Sequence, residues 1–265
     1  HPYKLRIYKR LLRIMKILEA LHISQQYEGV DVISDINLEL HKGETICLVG
    51  SSGVGKTTLF QILSGINLPV SGQVICNGED ITGKSGKVGY MLQNDLLLPH
   101  MNILKNASLS LRLTGTSPRV AKAIAEQYLE MFGLSGCGKK FPHQLSGGMR
   151  QRVAFLRTYL FSKEVLLLDE PFSALDQITK QEMWKWFLKI SKQLSLSTLF
   201  ISHDIEEATF LSDRVYVMGG TPGKIVKIIN IEQKERDDQY RLSNKIQEYK
   251  KEVLEALNLT SLGKN

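Results

Sequence analysis

Apolar residues recur along this chain in two rhythms. Val30, Val32, Ile36, Leu38 and Leu40 alternate with polar neighbours, the period of a half-buried strand, and the turn His41-Lys42-Gly43 follows. Residues 17–24 form a candidate strand just before it. Elsewhere the apolar positions run together in short blocks: ETICLVG (44–50), EVLLLD (164–169), STLFIS (197–202) and RVYVMG (214–219). Such blocks predict strands covered on both faces, the habit of a parallel sheet. Shorter strands are expected at 73–76 and 87–92, and a last one in GKIVKIIN (223–230).

Helical spacing fills the intervals. Met183, Phe187, Ile190 and Leu194 form one stripe of QITKQEMWKWFLKISKQL, hence a core-facing helix. A helix starts within GKTTLFQILSG and stops near Gly65. Residues 100–140 read as helical, with SPRVAKAIAEQYLEMF opened by Ser117-Pro118. GGMRQRVAFLRTYLF and IEEATFL are helices, and a charged surface helix is expected from about 241 to 257. Strand–helix alternation of this kind predicts an α/β domain with a largely parallel sheet, into which the helical stretch at about 94–158 is inserted as a lobe. The boundaries are a basic extension at 1–16, the domain at 17–230 and a C-terminal tail at 231–265. No repeat or low-complexity tract interrupts them.

Composition is that of a folded protein, 43% apolar and 23% charged over 265 residues. The net charge of +7 suggests nucleic acid until it is located: six positives, Lys4, Arg6, Lys9, Arg10, Arg13 and Lys16, fall in the first sixteen residues with no acid among them. The domain itself is near neutral and lacks the basic stripe of a nucleic-acid binder. The basic segment is either an extension outside the domain or a surface that lies on anionic lipid or docks on a partner. Cys47, Cys76 and Cys137 have neither the number for a disulfide framework nor the spacing for zinc. No apolar run is long enough to span a bilayer.

Chemistry enters at GSSGVGKTT. Gly50, Ser51, Ser52, Gly53, Val54, Gly55, Lys56, Thr57 and Thr58 match G-x-x-x-x-G-K-[ST] between a strand and a helix, the setting in which backbone N–H groups cradle phosphates. Lys56 would reach the β and γ phosphates and Thr57 the Mg²⁺ that accompanies ATP. VLLLDE ends a buried strand in two acids: Asp169 fits a metal ligand and Glu170 a general base for water. Gln93 could hold Mg²⁺ or the attacking water, His203 could contact the γ-phosphate, and Tyr27 could stack on adenine. A second anion corner, HQLSGGMRQR (143–152), lies far along the chain from the first.

Taken together, these motifs resemble the nucleotide-binding subunit of an ATP-binding cassette (ABC) transporter from Tyr27 to about Ile229. The phosphate loop, Gln93, LSGGMRQR, VLLLDE, SALD and His203 stand in that family's order. The resemblance implies a P-loop NTPase core with a mainly parallel sheet, an antiparallel β subdomain and the inserted α-helical lobe. It also implies a head-to-tail pair of subunits, in which Ser146, Gly147, Gly148 and Asp176 face ATP held by the other copy. Integral membrane permease subunits would dock near residues 93–106, a separate solute-binding protein would deliver cargo, and the subunit would sit peripherally on the cytoplasmic face of the membrane.

Residues 202–226 and LLLPHMNILKNASL resemble the nitrate, sulfonate, taurine and thiamine-precursor importers, with His100 where that subgroup often has an aromatic residue. Energised import of a small solute is the expected function. An exporter ATPase and a soluble non-transport ABC ATPase are the alternatives.

Overall fold

The computed structural model describes residues 15–233 and 235–262, so most of the basic segment and its expected docking lie outside the described residues. Among the described residues, ten strands form two sheets. The first is antiparallel, in the order β2-β1-β4-β5, from β1 (Lys16–Tyr27), β2 (Val30–His41), β4 (Ser71–Cys76) and β5 (Glu79–Asp80). The second runs β10-β9-β3-β8-β7-β6, from β3 (Thr45–Gly50), β6 (Gly89–Met91), β7 (Val165–Asp169), β8 (Ser197–Ile201), β9 (Arg214–Gly219) and β10 (Lys224–Asn230). Its strands are parallel except for the β9–β10 pair.

The contiguous apolar blocks have a direct cause in packing. Along β3, Cys47 and Val49 face one core while Ile46 and Leu48 face another, and β7, β8 and β9 divide in the same way. On the Ile46 side lie α1 (Lys56–Leu63) and the inward residues of the antiparallel sheet, such as Leu18, Ile36 and Leu38. On the Cys47 side lie α5 (Gly147–Phe161), α6 (Gln177–Leu194) and α7 (Ile205–Leu211), carrying Phe155, Phe187 and Phe210. Burial on both faces requires apolar residues at every position, so alternation disappears from the sequence.

Three expectations need correction. The stretch 100–140 is not one helical run: it divides into α2 (Ile103–Ala107), α3 (Leu109–Leu113) and α4 (Pro118–Leu129). Gly115, Gly133 and Gly136 take positive φ values of 96°, 70° and 70°, and the chain turns at each. The strand expected at 87–92 pairs only over Gly89–Met91, at the edge of the sheet. Finally, the C-terminal segment forms α8 (Asp238–Arg241) and α9 (Asn244–Leu262), and it is more than a surface helix. Tyr240, Ile246, Val253 and Ala256 are buried in the same core as Phe210 and Val215.

Register aligns the carboxyl ends of the central strands. Leu48 of β3 and Asp169 of β7 both pair with Ile201 of β8. The loops leaving these three neighbours therefore open at one edge, where open parallel sheets bind ligands.

Candidate active site

The loop after β3 is shaped by close approach and by backbone sign. A Cβ on Gly50 would come within 2.6 Å of the Met218 carbonyl oxygen, so no larger residue fits as the strand ends. Gly53 and Gly55 have φ of 77° and 104°, and a Cβ on Gly55 would collide with Ile33. Lys56 follows as the first residue of α1. Its ammonium donates to the carbonyls of Gly50 at 2.8 Å and Ser51 at 3.0 Å, the loop's own oxygens. Burial pushes its pKa down, and the nearby Glu170 and Asp169 oppose that shift. A cavity of about 310 Å³ opens over the loop, lined by Val32, Gly53, Lys56, Thr57, Glu170 and Ile201 among others.

Asp169 and Glu170 leave β7 beside it. Burial, then the charge of Glu170, raises the Asp169 carboxyl, while a long hydrogen bond from Tyr90 Oη (3.4 Å) opposes the rise. Two adjacent carboxylates, the Asp169 carboxyl raised, with a threonine hydroxyl nearby suit a hard divalent cation, which would relieve the repulsion.

Glu170 adopts φ of +47°, left-handed for a residue with a side chain. Its Oε2 accepts from Gln93 Nε2 at 3.1 Å and lies 3.2 Å from His203 Nδ1. Gln93 Nε2 is also 3.3 Å from Ser173 Oγ, whose hydroxyl donates to the Glu170 carbonyl at 3.0 Å. Gln93, Glu170 and His203, 110 residues apart at the extremes, thus converge on one oxygen. Tyr90 and Ser173 belong to this cluster and were not read from the sequence. Tyr90 carried only the strand pattern around it, and Ser173 was visible only as the first letter of SALD.

The second anion corner is built differently. Ser146 caps α5, its hydroxyl oxygen accepting from Met149 N at 3.3 Å, which leaves its proton for another acceptor. A Cβ on Gly148 would stand 3.0 Å from Thr179 Cγ2, so this glycine lets α5 approach α6 closely. Asp176 caps α6 through the Ile178 and Thr179 amides, both at 3.1 Å, and accepts from the Thr179 hydroxyl at 2.6 Å. Its carboxyl is held below the ordinary range, first by that hydroxyl and then by the Thr179 amide. Among the described residues, no hydrogen bond joins Ser146, Gly147, Gly148 or Asp176 to residues 50–58. Tyr27 stands at the end of β1 with an exposed ring, its hydroxyl accepting from Asn67 Nδ2 at 3.1 Å.

One further surface adjoins the site. An apolar groove of about 470 Å³ lies between the β6 edge and the lobe, lined by Ile66, Val88, Leu92, Leu96, Leu109 and Leu113 among others. Leu113 is 78% exposed and Leu96 53%, uncommon values for large apolar side chains gathered in one place.

A glycine-turned loop, a lysine at the head of its helix and a strand-end carboxylate pair define a nucleotide hydrolase of the P-loop class. A model of the ABC transporter family matches residues 33–173. The formylaminopyrimidine import ATP-binding protein ThiZ of Halalkalibacterium halodurans is 41% identical over 210 residues, 79% of this chain and 82% of its own length. The nitrate import ATP-binding protein NrtD of Synechocystis is 38% identical over 218 residues, 81% of this chain and 82% of its own. Among solved structures, cbiO1 of Clostridium perfringens, part of the ABC transporter complex cbiONQ, matches with a TM-score of 0.74 at 25% identity, covering 82% of this chain and 90% of that one. The chain belongs to the ABC transporter family, as an ATP-binding subunit that hydrolyses ATP. Among the described residues no helix is long and apolar enough to cross a membrane.

Proposed function

We propose that the chain is the motor of an importer for a small solute of the nitrate, sulfonate, taurine or pyrimidine type, and that two copies close head to tail around two ATP molecules. The observation that carries this reading is that, among the described residues, no hydrogen bond joins the two anion corners: Ser146 offers a hydroxyl and a helix start, while Lys56 is bound to the carbonyls of its own loop. A second copy supplies the phosphate for Ser146. ATP then acts as the adhesive, since a ligand that binds only the closed pair stabilises it by mass action, and loss of the γ-phosphate releases it.

Within each closed site the residues have distinct tasks. Tyr27 offers a ring for adenine, and residues 50–58 hold the phosphates. Glu170 takes the proton of the attacking water, while His203 and Gln93, bound to the same carboxylate oxygen, orient the water and the γ-phosphate. Thr57, Gln93 and Asp169 would hold Mg²⁺, which supplies charge neutralisation at the β and γ oxygens. Asp176, beside the partner's nucleotide, completes the shared face.

The groove at Leu92, Leu96 and Leu113 fits a short apolar helix from a permease subunit. It overlaps the expected docking stretch at its Leu96 end and extends beyond it to Ile66 and Leu113. Docking there would hold the subunit at the cytoplasmic face of the membrane, with a solute-binding protein acting from the other side.

Purification of the membrane complex tests the reading. ATP turnover in the reconstituted complex should rise with one such solute and its binding protein, and should stop when EDTA removes the divalent cation. Stimulation by a solute from the cytoplasmic side, with no binding component, would assign export instead.

A further inference from the structure

Gln151 lies on α5 one and a half turns past the Ser146 cap and is 4% exposed. Its Nε2 donates to the Pro171 carbonyl at 2.7 Å, and its Oε1 is buried without a hydrogen-bond partner among the described residues. A buried amide that satisfies a single bond and leaves its other atom bare costs stability, so packing alone is a poor reason for a glutamine here. The bond it makes falls at a particular place. Pro171 directly follows Glu170, whose φ of +47° a residue with a side chain keeps only where its surroundings enforce it.

The turn's backbone-to-backbone bonds are internal or run to β8, and its side chains Glu170 and Ser173 meet Gln93 and His203. The Glu170 carbonyl accepts from Ser173 N at 3.2 Å and the Phe172 carbonyl from Leu175 N at 3.3 Å, while Glu170 N donates to the Ile201 carbonyl at 3.2 Å. Among the described residues, Gln151 provides the one hydrogen bond to the Pro171 carbonyl and the one from α5 to the turn.

The same helix fastens the other half of the catalytic cluster. Arg150 Nε donates to Asp95 Oδ2 at 3.2 Å, and Arg157 donates to the Asp95 and Leu96 carbonyls at 2.6 and 3.0 Å, two and three residues after Gln93. The loop that brings Gln93 to Glu170 and the turn that carries Glu170 are thus both bound to the helix that begins at Ser146.

We infer that Gln151 is a positioning residue for hydrolysis: its amide N–H fixes the Glu170-Pro171 turn to α5, so that the helix seated on the partner's phosphate and the carboxylate serving this subunit's own nucleotide move as one body. This rests on the shared-site reading above. It adds a route by which occupancy of one site aligns the base of the other. Removing the donor lets the turn relax from its enforced conformation, which harms the chemical step and not the capture of ATP.

The test compares wild type with Gln151→Met, which keeps the volume and removes the donor, and with Gln151→Glu. In Gln151→Met, kcat should fall about 10-fold or more while KM for ATP, ATP-driven dimerisation and melting temperature remain near wild type. Gln151→Glu distinguishes a donor from a spacer. A buried carboxyl titrates high and donates only when protonated, so its activity relative to wild type should climb several-fold from pH 8.5 to pH 6.5.

A Gln151→Met enzyme within twofold of wild-type kcat would overturn the assignment, as would a flat pH ratio for Gln151→Glu, or a rise in KM matching the fall in kcat. The shared-site reading fails separately, if wild-type turnover per subunit is independent of protein concentration and survives Ser146→Ala.

Discussion

His203 Nδ1 lies 3.2 Å from Glu170 Oε2, the oxygen that also receives the Gln93 amide. The imidazole is largely exposed and the carboxylate largely covered, so the pair presents a base with its partner on the solvent side of the cavity. Glu170→Gln keeps the shape and removes the base. Steady-state phosphate release should fall by roughly 10²–10⁴, and size-exclusion chromatography with ATP should show a persistent dimer. His203→Ala should lower kcat with Glu170 intact, and pairing it with Glu170→Gln should add less than the product of the two single losses, because both act at one oxygen.

Lys56 is held by its own loop. Its two carbonyl partners, Gly50 and Ser51, keep the ammonium over the cavity, where burial already disfavours its charge. Phosphate would stabilise that charge. Lys56→Met should weaken ATP binding by about 1.5–3 kcal/mol, the range for a hydrogen bond to a charged group, roughly a 10- to 150-fold rise in Kd by titration calorimetry. Binding of adenosine, which lacks phosphate, should be unchanged.

Gly55 combines a φ of 104° with contact against Ile33. Gly55→Ala faces both a strained backbone, about 1–3 kcal/mol, and a collision with the strand behind it. Thermal melting should drop, and ATP binding should be lost well beyond what the lower stability explains. Gly53→Ala makes the useful contrast: its φ is 77° and nothing lies near its would-be Cβ, so backbone strain acts there without the collision.

Glu207 sits in α7 just behind His203 and is buried. Burial raises its carboxyl from 4.5 to about 8, with Asp204 adding to the rise and the Ser202 hydroxyl opposing it. In the unfolded chain the group ionises near its ordinary value, so between these two values the folded state binds more protons and stability falls as pH rises. The effect is absent below 4.5 and complete above about 8. Glu207→Gln removes it. Melting curves should show the variant gaining on wild type from pH 5 to pH 8, reaching an advantage of at least about 4 °C, given about 2–4 °C per kcal/mol for a domain of this size.

Much of this site is visible in the sequence because its parts are local. A buried strand, two glycines, a lysine and a helix start are consecutive, and each residue type answers a constraint within a few positions. VLLLDE is legible for the same reason. The lobe was less so: α2, α3 and α4 share one apolar spacing, α2 gives way to α3 at Ser108 with no glycine to mark it, and Gly115, between α3 and α4, looks like a tolerated interruption until its φ is known. Contacts that join distant segments left no spacing to read. Gln151 and Pro171 are twenty residues apart, and Tyr90 and Asp169 seventy-nine. Nor did α9 announce its burial, since charged residues outnumber the few that reach the core.

That last helix carries a consequence for how the protein comes into being. Every group discussed for catalysis lies between Tyr27 and His203, and all of it leaves the ribosome while Ile246, Val253 and Ala256 are still to be made. Until they arrive, the face of the sheet around Phe210 and Val215 stays wet, and the newborn enzyme has its reactive groups in order of synthesis but not yet a finished interior to hold them. A frameshift or stop codon before Ile246 would therefore leave this interior open while keeping every residue discussed for catalysis.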